Sequence, residues 1–371
     1  MKNILIVAPY YYLEGGGLEN YAHQVAKGLQ KLGHKVIVLC LTKDISKTEI
    51  IDAVEIIRKK PDFIISNTPI KLNFIFDIFK IINKYKIELV HAHTPVPYAA
   101  DMAALAANLK KIPFILTYHS NTLFKGKSLT DIIAAFYLPI QYLTLKSAKQ
   151  IVFVYRNIGP KFNKWKNKNL AIPPGVDTEQ FRFSEYPKSQ QNILFISPLS
   201  KAYPSKGVKV LFHALDLLKP QLSSFKVHIA GSGDMEDYYK QYAKSLDLAS
   251  NVEFLGKRQY SDMPAQYQRS NILVVPSLKA EGSPTVIIEA MASGRPVIGT
   301  NIGGIPEMIK DNITGLIIKP NDPQNLAQAI LRLLKNSNLA AEMGRAGRKI
   351  AEDRYSWEKI VKQYDQLIQS I

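Results

Sequence analysis

The sequence predicts an α/β protein of two doubly wound domains, and three observations carry that prediction. The chain has 371 residues, too many for one domain of ~150. Short β-branched runs alternate with helical stretches in both halves, the pattern of parallel sheets covered on both faces. Between residues 172 and 192 the alternation stops. There IPPGVD and FRFSEYPKSQQN supply Pro173, Pro174, Gly175 and Pro187, which is linker chemistry.

In order along the chain, Lys2–Pro9 reads as a buried strand, continuous in apolar character. Gly15, Gly16 and Gly17 follow, then a helix over Leu18–Leu32 with Leu18, Tyr21, Ala22, Val25 and Leu29 at helical spacing. Gly33 ends it, and Lys35–Leu41 reads as the next strand, completing a βαβ unit. Further strands are expected at Phe63–Ser66, Leu89–His93, Phe114–Tyr118 and Gln150–Val154. After the linker, strands are expected at Ile193–Ser197, Lys226–Ala230, Val252–Leu255, Ile272–Pro276, Pro296–Thr300 and Gly315–Ile318. Helices are expected at Val208–Leu218, up to Leu246, over Thr285–Ala292, and through the last fifty residues. The division expected is residues 1–183 and 190–354, with residues 355–371 packing back on the first domain. Ligands of such sheets sit beyond the carboxyl ends of the strands, so an interdomain site is expected.

Composition narrows the class. Hydrophobic residues make up 46% and charged residues 21% of the chain, a globular balance. A single cysteine, Cys40, excludes a disulfide framework and a Cys-based zinc cluster, and fits a cytoplasmic location. The longest apolar stretch, Ile132–Leu145, falls short of the ~20 residues that span a bilayer and contains Pro139 and Gln141. Ile4–Ala8 is too short for the apolar segment of a signal peptide.

Charge is the strongest bias. With 48 Lys+Arg against 31 Asp+Glu the net charge is +17. Residues 1–185 hold 25 basic and 14 acidic residues, a net +11. Such a chain suits phosphorylated ligands, an anionic membrane or nucleic acid, or is simply soluble. Lys146, Lys149, Arg156, Lys161, Lys164, Lys166 and Lys168 interleave with Phe162 and Trp165. That segment reads as a patch for anionic lipid head groups or as a solvated basic face. No nucleic-acid recognition motif accompanies it.

EGSPTVIIE places Glu281 in a loop after the strand ILVVPS and Glu289 just over a turn inside the next helix. The N–H groups of Ser283, Pro284, Thr285 and Val286 would lie at that helix's N-terminus, where a diphosphate is favoured. A helix carboxylate such as Glu289 can hold the two hydroxyls of a ribose. Spacing alone favours two solvated glutamates around a turn.

The longer run EGSPTVIIEAMASGRPVIGTNIGGIPEMI resembles the C-terminal signature of the retaining glycosyltransferases of family four, the glycosyl transferases group 1. IAGSGDMED, VEFLGKRQY, DNITGLIIKPND and YSWEKI follow the family's order. So do the glycine loop, LGHKV, ELVHAH, LTYHS and IPPGVDTEQF in the first half. The resemblance implies the GT-B fold, two Rossmann-like domains facing across a cleft.

The resemblance also implies roles. Glu281 would hold the donor sugar and Glu289 the ribose. Lys206, before Gly207, would neutralise the donor diphosphate as a compact point charge. The family's usual arginine is replaced by Pro198 in SPLSKAYPSKG, with three extra residues, and Lys201 is the candidate second charge. Gly16, Gly17 and His119 would face the donor's sugar and diphosphate, Gly231 and Gly282 would line the donor side, and the base would stack near Lys257, Arg258 and Gln259. His91 and His93 share one face of a strand, but with no third ligand apparent they read as structural or acceptor-lining, and no metal is expected.

The activity expected is hexosyl transfer from a nucleoside-diphosphate sugar to a lipid or saccharide hydroxyl, retaining and metal-independent, peripheral on an anionic membrane inside the cell, with no nucleic acid and no cofactor. The alternatives are a GT-B sugar-nucleotide 2-epimerase and a non-catalytic basic protein that binds lipid or nucleic acid.

Overall fold

Asn3–Ala8, Lys35–Leu41, Leu89–Thr94, Phe114–Tyr118 and Gln150–Phe153 form parallel strands in the first half of the computed structural model. The structure describes residues 1–12, 14, 16–65, 68–94, 96–119, 129–156, 160–189, 191–222, 224–279 and 281–371, with side chains left out at 129–134, 160 and 161. Gly15 and Ser66 thus lie outside the described residues.

The chain divides into two units, Met1–Pro174 with Trp357–Ile371, and Gly175–Ser356. The boundary therefore falls before the expected 183/190 division. Phe181 explains the difference: it is fully buried and packs edge-on against Tyr267, with ring centroids 5.7 Å apart. Arg348 Nη1 also donates to the carbonyls of Thr178, Phe181 and Ala292, and Arg295 Nη2 donates to Ser184 O at 2.7 Å and Glu185 O at 3.0 Å. Thr178 and Phe181, expected to belong to the first domain, are thus held by an arginine of the second, and Ser184 and Glu185 beyond them by another.

The first unit has an eight-stranded sheet, in the order Asn169–Ala171, Gln150–Phe153, Phe114–Tyr118, Leu89–Thr94, Asn3–Ala8, Lys35–Leu41, Val54–Lys59, Lys47–Ile51. Alternate residues of one strand serve opposite cores: Leu5 and Val7 join the side covered by Phe74–Tyr85 and Ala99–Leu109, whereas Ile4 and Ile6 face Gly17–Lys31 and Trp357–Gln369. On the latter side Gly28 lets the C-terminal helix approach, since a Cβ there would lie 2.2 Å from Val361 Cγ2.

Two strand expectations change. Phe63–Ile65 pairs antiparallel with Thr68–Ile70 in a separate two-stranded ribbon and does not join the parallel sheet. Val54–Lys59 and Lys47–Ile51 complete the sheet edge through a hairpin that the sequence reading lacks. Its turn residues, Asp52 and Ala53, have φ of 51° and 65°. Hairpins of that backbone form usually announce themselves by Asn-Gly or Asp-Gly.

The second unit has a six-stranded parallel sheet, in the order Val252–Gly256, Lys226–Ala230, Asn192–Ile196, Ile272–Val275, Val297–Thr300, Gly315–Ile318. Val208–Leu218 and Pro323–Lys335 cover one face, and Thr285–Ala292 the other. Strand order reverses between Asn192–Ile196 and Ile272–Val275, the switch point where α/β sheets bind ligands.

Candidate active site

The two strands at that switch point deliver the expected residues. The segment after Asn192–Ile196 carries Lys206, and the loop after Ile272–Val275 carries Glu281. Lys206 Nζ donates to both Glu281 carboxylate oxygens, the longer contact being 3.1 Å. The pair is mostly enclosed, with 26% of the Lys206 and 12% of the Glu281 side chain exposed.

Glycines make the pairing possible. Gly207 has φ +76°, and a Cβ there would stand 2.0 Å from Pro276 O. That close approach joins the Lys206 turn to the strand end, where Leu278 N donates to Ser205 O at 2.7 Å. Gly303, with φ +57°, would place a Cβ 1.9 Å from Glu281 O, and Gly304 N donates to Glu281 O at 3.2 Å and Gly282 O at 3.0 Å. The Gly-Gly of NIGGIPE is therefore the floor under Glu281. Gly231, with φ +144°, meets Ser197 O in the same manner.

The helix Thr285–Ala292 starts at the expected place, with Pro284 as its N-cap. One correction follows: Pro284 has no N–H, so it contributes no donor to this end. The groups at Thr285 and Val286 have no intrahelical acceptor, whereas Ile287 N already bonds Pro284 O at 3.1 Å. Gly282, Ser283 and Pro284 are half-buried between Glu281 and the helix.

Glu289 is not a solvated glutamate. It is 5% exposed and accepts from Tyr267 OH at 2.7 Å. Burial pushes its carboxyl up to about 7, opposed by hydrogen bonds from Tyr267 and Thr285. Lys201 is exposed; its backbone N–H donates to Asp234 Oδ1 at 2.9 Å, and among the described residues no hydrogen bond or ion pair links its side chain to Lys206 or Glu281. Arg258 is exposed in the loop after Val252–Gly256.

In the first unit, Gly16 N–H is occupied: it donates to Glu19 Oε2 at 2.7 Å. Gly17 opens the helix Gly17–Lys31 and is exposed. His119 follows Phe114–Tyr118, and its Nε2 lies 3.0 Å from His93 Nδ1. His91 and His93 are fully buried with ring centroids 4.4 Å apart. Burial lowers the His91 and His119 imidazoles to about 3 and holds His93 well below its usual range, so all three are neutral near pH 7. Among the described residues no group of three or more His, Cys, Asp or Glu is placed to hold a metal ion.

The basic segment needs a second correction. Phe162 and Trp165 are 2% and 9% exposed and belong to the core beneath Gln150–Phe153, so neither is a surface anchor. Lys168 Nζ donates to Lys146 O and Ala148 O at 2.8 Å, and Lys164 lies over the Tyr142 ring. The exposed apolar side chains stand instead on the helix Leu129–Ser147: Phe136 at 80%, Leu143 at 62%, Ile140 at 49%. Buried Asp101 anchors that helix, accepting from Tyr137 OH at 2.9 Å and from Thr144 Oγ1. Among the described residues no helix is long and apolar enough to cross a membrane.

Two α/β units, each built on a largely parallel sheet, are the architecture of the GT-B fold. A sucrose-phosphate synthase from Thermosynechococcus elongatus superposes with a TM-score of 0.80 at 21% identity, covering 100% of this chain and 99% of that one. Anabaena HepE in complex with UDP gives 0.78 at 20%, covering 100% of both. Residues 176–350 match the family described as Glycosyl transferases group 1, and residues 15–180 match Glycosyltransferase Family 4. An uncharacterized glycosyltransferase of Methanocaldococcus jannaschii is 26% identical, over 98% of this chain and 96% of that protein. A phosphatidyl-myo-inositol mannosyltransferase of Mycolicibacterium smegmatis is 24% identical, over 99% and 93%. The chain belongs to the group 1 glycosyltransferases of family four, and it is an enzyme of glycosyl transfer.

Proposed function

We propose that the enzyme moves a hexosyl group from a nucleoside-diphosphate sugar to a lipid or saccharide hydroxyl with retention of configuration and without a metal. The observation that carries this reading is the Lys206–Glu281 pair, held at the switch point by Gly207 and Gly303. A donor diphosphate competes with Glu281 for Lys206 and also meets the N–H groups of Thr285 and Val286. That cation and those dipoles stabilise the negative charge that grows as the anomeric carbon–oxygen bond to the diphosphate breaks. Glu281, released, accepts hydrogen bonds from the sugar. The acceptor hydroxyl forms the new bond on the same face and passes its proton to the departing phosphate oxygen.

Glu289, held by Tyr267, takes the ribose hydroxyls, and Arg258 lies beside the base. Gly231 and Gly282 give the donor backbone clearance, and Ser283 lines the same turn. Lys201 is the candidate for a second contact with phosphate. Gly16, Gly17 and His119 keep the donor-sugar roles that the family resemblance implies.

The relative from Mycolicibacterium smegmatis acts, by its name, on a lipid, and HepE was solved with UDP. Here the helix Leu129–Ser147 exposes Phe136, Ile140 and Leu143 next to Lys146 and Lys149, a combination suited to an anionic interface. We therefore include peripheral association with the cytoplasmic leaflet in the proposal. A panel of nucleoside-diphosphate sugars screened for thermal stabilisation identifies the donor by mass action. Product NMR on that donor, with and without chelator, then reads the anomer. An inverted product, chelator-sensitive turnover, or conversion of the donor sugar with no acceptor overturns the reading. Equal sedimentation with anionic and neutral vesicles at low salt overturns the membrane part.

A further inference from the structure

The buried hydroxyls of the first unit form a chain whose direction is set at one end. Ile172 O can only accept, so Tyr21 OH donates to it, at 3.1 Å. Tyr21 then accepts from Tyr364 OH at 2.9 Å, Tyr364 from Thr117 Oγ1 at 2.9 Å, and Thr117 from His91 Nε2 at 2.8 Å. Each hydroxyl has a single proton to give, so His91 carries its proton on Nε2. Among the described residues its buried Nδ1 has no partner, and it is a bare acceptor.

His93 repeats the constraint. Its Nδ1 meets His119 Nε2, while its own Nε2 is buried and has no partner among the described residues. If His119 were the donor, the His93 proton would have to sit on Nε2, as a buried N–H bonded to nothing. Orphaned buried N–H groups are rarer than under-satisfied acceptors, so the proton belongs on His93 Nδ1. His119 Nε2 then accepts, and the His119 proton sits on Nδ1, which has no hydrogen-bond partner among the described residues. Tyr21 braces the same ring edge-on, with centroids 4.9 Å apart.

We infer that His93 is a positioning residue: it donates to Nε2 of His119 and locks His119 as a tautomer that offers an N–H, not a lone pair, to its ligand. The ligand atom selected is an oxygen acceptor, such as a sugar or phosphate oxygen. The inference rests on the proposed contact of His119 with the donor sugar; the tautomer itself does not.

Nitrogen-15 NMR on the whole enzyme, labelled at its seven histidines, tests it, with His119→Ala assigning the signal. The expected result is a His119 protonated at Nδ1, a mixed or reversed tautomer in His93→Phe, and recovery in His93→Asn, whose amide supplies a donor near the Nδ1 position. Transfer is expected to fall roughly 10–100-fold in His93→Phe, as for other histidine-orienting partners, and to recover in His93→Asn. A wild-type His119 protonated at Nε2 overturns the inference, whether or not either variant folds. So does a His93→Phe enzyme with an unaltered tautomer and rate. If His119→Ala transfers normally, the sugar-contact role of His119 falls instead, and the tautomer measurement still decides the inference.

Discussion

Around Glu281 the second unit sets a carboxylate against an ammonium in a partly open loop, whereas around His93 the first unit gathers three imidazoles with no carboxylate bonded to them among the described residues. The first arrangement pairs an acid with a base; the second gathers bases that burial keeps neutral near pH 7. On the proposed reading a diphosphate takes over Lys206 because the pair is partly exposed. A tautomer can be fixed because burial keeps the imidazoles neutral.

The largest effect expected from this contrast is on catalysis. Glu281→Ala should lower transfer by roughly 10²–10³-fold, the scale for losing one transition-state contact, with little change in unfolding because the residue lies in a loop. Steady-state rates beside a denaturation curve check both halves. Near-normal turnover would remove Glu281 from the site.

The next effect separates the units by pH. His91 is lowered to about 3 when folded, so between there and 6.5 the unfolded chain binds the extra proton. Stability is then unaffected above 6.5 and falls as pH drops below it, by about 1.4 kcal/mol per pH unit for this residue alone. Both tryptophans, Trp165 and Trp357, belong to the first unit, so their fluorescence follows that unit during urea unfolding. A fluorescence midpoint that is flat from pH 7 to 5 would contradict neutral buried imidazoles.

Glu289 has the opposite sign. Its folded carboxyl stands at about 7, so the native state binds the extra proton between the ordinary carboxyl range and 7, and stability falls as pH rises through that window. In Glu289→Gln that decline, on the order of 2–3 kcal/mol between pH 4.5 and 8, should disappear. Circular dichroism melts of both proteins across the window measure it. Smallest of all, Tyr267→Phe removes a donor to the ionised carboxylate and should push the Glu289 carboxyl higher. If the ionised form holds the ribose, donor affinity in this variant should need a higher pH, with roughly tenfold weaker binding near pH 7. Titration calorimetry with the nucleoside diphosphate reads the displacement, and unchanged pH dependence would leave Tyr267 as packing only.

The arrangement around Lys206 and Glu281 was legible in outline because its determinants are local. The run ILVVPS, the glutamates of EGSPTVIIE and the Lys206-Gly207 pair lie in short segments whose strand ends converge at a switch point. What the sequence hid depended on distant partners. Phe162 and Trp165 sit among lysines in sequence, yet the sheet above them claims both rings. Glu289 looked solvated until Tyr267, more than twenty positions earlier, closed over it. The Asp52-Ala53 hairpin was missed because its backbone demands glycine-like φ values from residues that seldom signal them. The tautomer chain depends on Tyr364, at the far end of the polypeptide from Tyr21.

That last separation sets an order of manufacture. Residues 1–174 leave the ribosome first, but Ile360, Val361 and Tyr364 fill their core, so the unit that starts first finishes last. The intervening Gly175–Ser356 is contiguous and can fold while its neighbour waits. Until Trp357–Gln369 arrives, Tyr21 and Thr117 lack the Tyr364 hydroxyl and Gly17–Lys31 lacks its outer cover. A nascent chain stalled after residue 356 should therefore resist protease across 175–356 and be cut within 1–174, and a fully protected first segment would contradict that order.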